Sequence, residues 1–124
     1  MEQKFYRCGH CGNIIAMVKN VGVPVVCCGE KMQEIIAGTE NASMEKHVSV
    51  YTVEDGKVHV TVGETPHPMV PEHYIEWISL QTTSGNQRKE LLPGQAPEVC
   101  FAICDGDEVA AVYAYCNLHG LWRA

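Results

Sequence analysis

The sequence predicts a mainly β protein, a small metal-stapled module followed by an antiparallel β-sandwich. Three observations carry this. Cysteines 8, 11, 27 and 28 bracket a stretch too short to fold on its own apolar content. From Lys46 onward, short alternating runs are separated by Gly, Pro and Asp turns. A helical apolar period is hard to find anywhere in the 124 residues. The expected boundaries are a module over 1–36, a linker over 37–43 and a sandwich domain over 44–124.

In the first module, Tyr6-Arg7-Cys8-Gly9-His10-Cys11-Gly12-Asn13 and Val26-Cys27-Cys28-Gly29 form two knuckles around the apolar stretches 14–18 and 21–26. Their glycines let the backbone turn tightly enough for amide N–H groups to point at sulfur. A piece of roughly 35 residues usually needs a metal or disulfide staple. Cys8 and Cys11 have C-x-x-C spacing, while Cys27 and Cys28 are adjacent. Four thiolates suit iron or zinc, and spacing alone leaves a redox iron and a purely structural zinc both open. Adjacent cysteines cannot both adopt relaxed knuckle geometry, so distortion is expected there. His10, between two ligands, reads as a solvent-facing turn residue. Ala37-Gly38-Thr39-Glu40-Asn41-Ala42-Ser43 is small and polar and reads as the linker.

The second domain opens with Val48, Val50 and Thr52 alternating with Ser49 and Tyr51. Val58, Val60 and Val62 then alternate with His59 and Thr61, and Glu54-Asp55-Gly56-Lys57 between them is a strong hairpin turn. Residues 63–71 carry Pro66, Pro68 and Pro71 and form a stiff loop with His67 at its middle. Residues 74–82 read as a strand rich in aromatic and β-branched residues. Residues 99–104 and 109–115 read as strands around a second hairpin turn, Asp105-Gly106-Asp107-Glu108. His59 is expected to be an ordinary strand residue beside no other ligand type. Cys100 and Cys104 are expected to be small buried hydrophobes.

Composition narrows the function. Seven cysteines, an odd number, fit metal ligation in a reducing compartment better than a disulfide framework. A net charge of −6 disfavours nucleic-acid binding, and an anionic substrate would need a local positive patch. No apolar run reaches the roughly 20 residues that span a membrane. The start, Met1-Glu2-Gln3-Lys4, lacks the apolar core of a signal peptide. A cytoplasmic location is therefore expected, with neither membrane nor nucleic acid as a partner.

One constellation carries chemistry. Cys116 and His119, two residues apart in Cys116-Asn117-Leu118-His119-Gly120, can share a metal from the loop after a strand. A sandwich gathers strand ends and loops at one end, where His47, His67 and His73 can join them. Imidazole suits iron, copper and zinc, and thiolate adds softness. Five ligands exceed zinc's usual four, whereas an octahedral iron keeps one position for a small ligand. Iron redox chemistry follows. An oxidoreductase leads, against an electron-transfer iron protein without a substrate, a zinc-stapled binding module, or a dismutase.

These residues resemble the desulfoferrodoxin family, the two-iron form of superoxide reductase. The resemblance runs through the first module's two knuckles, Glu45-Lys46-His47-Val48, Gly63, His67-Pro68-Met69, His73-Tyr74-Ile75-Glu76-Trp77-Ile78 and Tyr115-Cys116-Asn117-Leu118-His119-Gly120-Leu121-Trp122. It implies a desulforedoxin-like module with Fe(Cys)4 at Cys8, Cys11, Cys27 and Cys28, and an immunoglobulin-like sandwich. It further implies a catalytic iron with imidazoles from His47, His67, His73 and His119 and an axial thiolate from Cys116. Glu45 would fill the sixth position in the ferric resting state, and Lys46 would be the cation beside it. The implied reaction is one-electron reduction of superoxide to hydrogen peroxide without dioxygen production, as detoxification, in a homodimer fed by a rubredoxin-like donor. Cys100 and Cys104 lie outside the family pattern.

Overall fold

The computed structural model describes residues 2–38 and 47–124. Glu45, Lys46 and linker positions 39–43 lie outside the described residues. The chain divides into two compact units, Met1–Ile36 and Ala37–Ala124.

The first unit is built from five short strands, β1 (Phe5–Arg7), β2 (Ile14–Ala16), β3 (Val26–Cys27), β4 (Glu30–Lys31) and β5 (Gln33–Glu34). β2, β1 and β5 form an antiparallel sheet in that order, and β3 pairs with β4. Its apolar side chains bury poorly. Phe5, Cys8 and Met32 are inside, while Val18, Val21, Val23 and Val26 are exposed. Cys27 pairs with Glu30, so Cys28 and Gly29 are the two central residues of a hairpin turn. Their φ values of 54° and 77° are those of a type I′ turn. The distortion expected of adjacent cysteines is thus carried by Cys28, a non-glycine residue in left-handed backbone.

The second unit is a two-sheet antiparallel arrangement. One sheet has the order β10-β7-β6, from β6 (Ser49–Glu54), β7 (Lys57–Val62) and β10 (Glu98–Ala102). The other has the order β12-β11-β8-β9, from β8 (Ile75–Thr82), β9 (Asn86–Glu90), β11 (Val109–Cys116) and β12 (Gly120–Arg123). Alternation sends Val58, Val60 and Val62 of β7, Phe101 of β10 and Val112, Ala114 and Cys116 of β11 into one core. The turn after β6 has Asp55 and Gly56 at φ 51° and 71°, the expected hairpin.

The second expected hairpin is not one. β10 pairs with β7 and β11 with β8, so residues 105–108 cross from one sheet to the other. Two apolar runs around four turn residues look alike whether they pair or part. Here the Asp107 carboxylate accepts hydrogen bonds from Thr82 Oγ1 (2.8 Å), Thr83 Oγ1 (2.8 Å) and Ser84 Oγ (2.7 Å), tying the crossing to the end of β8. The strand β9, Asn86-Gln87-Arg88-Lys89-Glu90, has no apolar alternation because it is an exposed edge. Gln87 and Lys89 donate to the carbonyls of Ala102 and Cys100 on β10, capping groups that an open edge would leave to a foreign strand.

One irregularity aims the site. Tyr115 pairs with Trp77, but Cys116 pairs with Ile75, so Glu76 is an extra residue in β8. This bulge lets both Ile75 and Ile78 face the core, where strict alternation would send one outward.

Candidate metal centres

In the first unit, the ligand atoms of Cys8, Cys11, Cys27 and Cys28 all lie within 4.8 Å of one another. Cys11 Sγ and Cys27 Sγ are 3.6 Å apart, near the edge of a tetrahedron whose metal–sulfur bonds are about 2.3 Å. The knuckle glycines do what was expected: Cys8 Sγ accepts amide hydrogens from His10 (3.4 Å) and Cys11 (3.5 Å), and Cys11 Sγ accepts one from Asn13 (3.4 Å). Those of Cys11 and His10 hold the Cys8 thiol down at about 6. The neighbouring sulfurs of Cys11, Cys8 and Cys27 push Cys28 up to about 12. Four sulfurs this close cannot all carry charge without a cation among them, and that fits a bound metal. His10 is exposed, as expected, and its Nε2 lies 3.1 Å from Glu30 Oε1.

In the second unit, ligand atoms of His47, His67, His73 and Cys116 likewise lie within 4.8 Å of one another. His119 stands beside them, its Nδ1 3.8 Å from Cys116 Sγ. The four imidazoles form a ring. Successive centroids from His47 through His67, His73 and His119 are 4.7, 4.7 and 5.0 Å apart, and 4.8 Å closes the circuit. The His47–His73 diagonal is 6.4 Å, close to that of a square of these sides. Neighbouring rings are inclined at 65° to 81°, like blades around a hub. Half the diagonal is about the length of a metal–nitrogen bond of roughly 2.1 Å plus the radius of an imidazole ring.

Each side chain is placed by its own local device. His67 lies between Pro66 and Pro68, and its Nδ1 donates to the Pro68 carbonyl at 2.7 Å. That bond fixes the tautomer and leaves the Nε2 lone pair free. This Nε2 is buried with no hydrogen-bond partner among the described residues, a vacancy a metal ion would satisfy. Burial, followed by the neighbouring imidazoles, lowers the His67 pKa to about 4, which keeps it the neutral ligand form. His73 is held by paired backbone bonds with Val70. Cys116 ends β11, where burial pushes its thiol up and the amides of His119 and Leu118 oppose the shift. Gly120, at φ 79°, closes the turn back into β12.

Three positioning residues had no assigned role in the sequence reading. Asn117 spans the two halves of the site: its Oδ1 accepts from the Tyr74 amide (3.0 Å) and its Nδ2 donates to the Glu72 carbonyl (3.0 Å), on either side of His73. Trp122 stacks on His47 at 4.8 Å and 19°, and its Nε1 donates to the His119 carbonyl at 3.2 Å. Gly38, expected in the linker, forms a bridge to Trp122 and lies against the indole, where a Cβ would come within 3.0 Å of two ring carbons. Trp122 belongs to a motif quoted for the family resemblance, but its stacking partner is a matter of tertiary structure.

Two expectations are corrected. Cys100 is half-buried and Cys104 exposed, so neither is a core hydrophobe. Their segment is an outer strand and its exit, which periodicity cannot tell from an inner one. His59 is not isolated from other ligand types, because β7–β10 pairing sets it opposite Cys100.

The profile of the family described as Desulfoferrodoxin matches residues 39–124. The chain belongs to the desulfoferrodoxin family. The desulfoferrodoxin of Nitratidesulfovibrio vulgaris is 44% identical over 123 residues, covering 99% of this chain and 96% of that one. The superoxide reductase of Pyrococcus abyssi is 39% identical over 99 residues, 64% of this chain and 84% of that one. The crystal structure of the superoxide reductase from Treponema pallidum superposes with a TM-score of 0.84 at 39% identity, covering 99% of this chain and 97% of that one. The mainly β architecture and the two metal-binding clusters agree with desulfoferrodoxin membership.

Proposed function

We propose that this protein is a non-haem iron superoxide reductase that reduces superoxide to hydrogen peroxide without making dioxygen. The observation that carries the reading is the near-square of four imidazoles beside a buried thiol, in a family with named superoxide reductases. Iron held by His47, His67, His73, His119 and Cys116 would supply the one electron of the reaction, with solvent as the source of the two protons. The fold supplies the rest. His47 and His67 are buried, whereas His73 is half-exposed and His119 exposed. The amides of Leu118 and His119 offset negative charge on the Cys116 sulfur.

Lys46 and Glu45 are the residues we assign to the substrate side. The chain's −6 charge repels superoxide. A Lys46 ammonium next in sequence to His47 offsets that locally, within a Debye length of about 8 Å at physiological salt. Lys46 also serves to orient a proton-donating water. Glu45 serves as the carboxylate that closes the site in the oxidised resting protein.

The Met1–Ile36 unit is the Fe(Cys)4 module, with Cys8, Cys11, Cys27 and Cys28 as ligands, and the sandwich domain carries the catalytic iron. We assign a homodimer, a rubredoxin-like electron donor and a cytoplasmic location. Exposed valines on the first unit support self-association, and seven free cysteines fit a reducing compartment. No helix among the described residues is long and apolar enough to cross a membrane. Metal analysis and activity of protein purified from iron-replete cells test the assignment. Two irons per chain and superoxide consumption sustained by a reductant are expected. Zinc in both sites, or consumption that needs no reductant, would overturn it.

A further inference from the structure

The outer face of β7 and β10 carries a second thiol–imidazole pair that the proposed reaction does not use. Val58, Val60 and Phe101 point into the core, so alternation turns His59 and Cys100 to the opposite face. They sit directly across from each other, with Cys100 Sγ 3.9 Å from His59 Nε2. An open groove of about 280 Å³ runs beside them, bordered also by Thr61 and Glu98, with ample room for a small neutral molecule. Lys89 reaches over from β9, lies 5.5 Å from the centre of the Phe101 ring and donates to the Cys100 carbonyl. The group that faces the Cys100 thiol is therefore the His59 imidazole, while Lys89 holds the backbone of the same residue.

We propose that Cys100 is a peroxide-reactive thiol, activated by His59, that records the protein's own product as a sulfenic acid. The proposal rests on the reading that this product is hydrogen peroxide. The thiolate is the nucleophilic form of cysteine, and a neighbouring imidazole is a base that can generate it. His59 takes the Cys100 proton, and the sulfur attacks one peroxide oxygen. The O–O bond breaks as the S–O bond forms. The other oxygen leaves as hydroxide and collects the proton from His59 to become water. Sulfur loses two electrons and the peroxide gains them, so the exchange balances with no other oxidant.

The molecule contains its own control. Five of the seven cysteines belong to the two metal clusters. The other is Cys104, which is more exposed than Cys100 but has no imidazole within hydrogen-bonding reach among the described residues. Access alone favours Cys104; activation favours Cys100.

The test is to treat the iron-loaded protein with hydrogen peroxide in the presence of dimedone and to measure adduct formation at each cysteine by mass spectrometry. Cys100 is expected to label at least about tenfold faster than Cys104, less than the roughly 100-fold or more that a well-positioned base contributes, because access favours Cys104. His59→Asn and His59→Gln are expected to remove that advantage while leaving Cys104 labelling and superoxide consumption unchanged. Equal labelling of the two cysteines, or an unaltered Cys100 rate in both variants, would overturn the proposal. A second arm replaces added peroxide with superoxide and a reductant. Labelling of Cys100 that catalase abolishes is expected there. Labelling by added peroxide but none during superoxide consumption would leave the thiol chemistry standing and overturn the peroxide-product reading on which self-recording depends.

Discussion

Replacing Gly38 with alanine adds one methyl group at the most crowded contact behind the second metal cluster. The new Cβ would meet three carbons of the Trp122 ring at 3.0, 3.0 and 3.2 Å. Comfortable carbon–carbon separations are about 3.5–4.0 Å, so the ring must retreat by about 0.5 Å or more. It has nowhere easy to go. Trp122 is 2% exposed, its ring stacks on His47, and its Nε1 is tied to the His119 carbonyl. Overpacking of this kind costs about 1–3 kcal/mol. Each kcal/mol lowers Tm by roughly 4–8 °C in a domain of this size. The strain falls on His47 and His119 together, so Gly38→Ala should lower Tm by about 4 °C or more and weaken iron retention by the second cluster while sparing the first. Thermal unfolding and iron release to a chelator measure both. If the clash is the cause, adding Trp122→Phe, with its smaller ring, should recover part of the loss, a non-additivity expected only of residues in contact. A Gly38→Ala protein with unchanged Tm and iron retention, or a loss that Trp122→Phe deepens additively, would rule out the clash as the cause.

Asn117→Ala removes both side-chain hydrogen bonds that fasten the His73 loop to the Cys116 turn and leaves the backbone bond from the Asn117 amide to the Tyr74 carbonyl; unsatisfied groups there should cost about 1–3 kcal/mol and reduce iron occupancy of the second cluster, read by unfolding and metal analysis. Asp107 is held at about 2, below its ordinary 3.8, by Ser84, Thr83 and Thr82 hydroxyls and the Glu108 amide. A depressed folded pKa contributes stability that is present above pH 3.8 and lost as pH falls toward 2. Asp107→Ala should therefore lower Tm at neutral pH and narrow its gap from the parent protein across that window; a gap independent of pH would contradict this. Cys11→Ser should damage the first unit but leave superoxide reduction intact, and lost activity with the second iron still bound would count against that separation of roles. Lys46→Ala should slow superoxide capture and flatten its salt dependence; stopped-flow rates unchanged across a salt series would remove the electrostatic role.

The sequence made some features legible because they are local. Hairpin chemistry at Asp55-Gly56 placed β6 and β7, and C-x-x-C spacing together with Cys116-Asn117-Leu118-His119 marked the ligand types of both clusters. The adjacent Cys27–Cys28 pair even announced the backbone distortion at Cys28. What was misread depended on partners remote in sequence. Whether residues 105–108 turn back or cross over is decided by β10 choosing β7. The Cys100–His59 contact exists only in that register. Edge strand β9 hides because all five of its residues are exposed, so no apolar alternation marks it. Trp122 and Gly38 could be read as an aromatic and a linker glycine, but not as one stack supporting His47.

Anaerobic titration of the ferrous protein with superoxide, following iron oxidation, hydrogen peroxide and dioxygen together, distinguishes superoxide reduction from its alternatives. A superoxide reductase gives one iron oxidised and one peroxide formed for each superoxide consumed, with no dioxygen released by the protein. Catalytic dioxygen release without net iron oxidation would make it a dismutase, and an inert ferrous centre would make it an electron carrier; either result would exclude superoxide reduction as its activity.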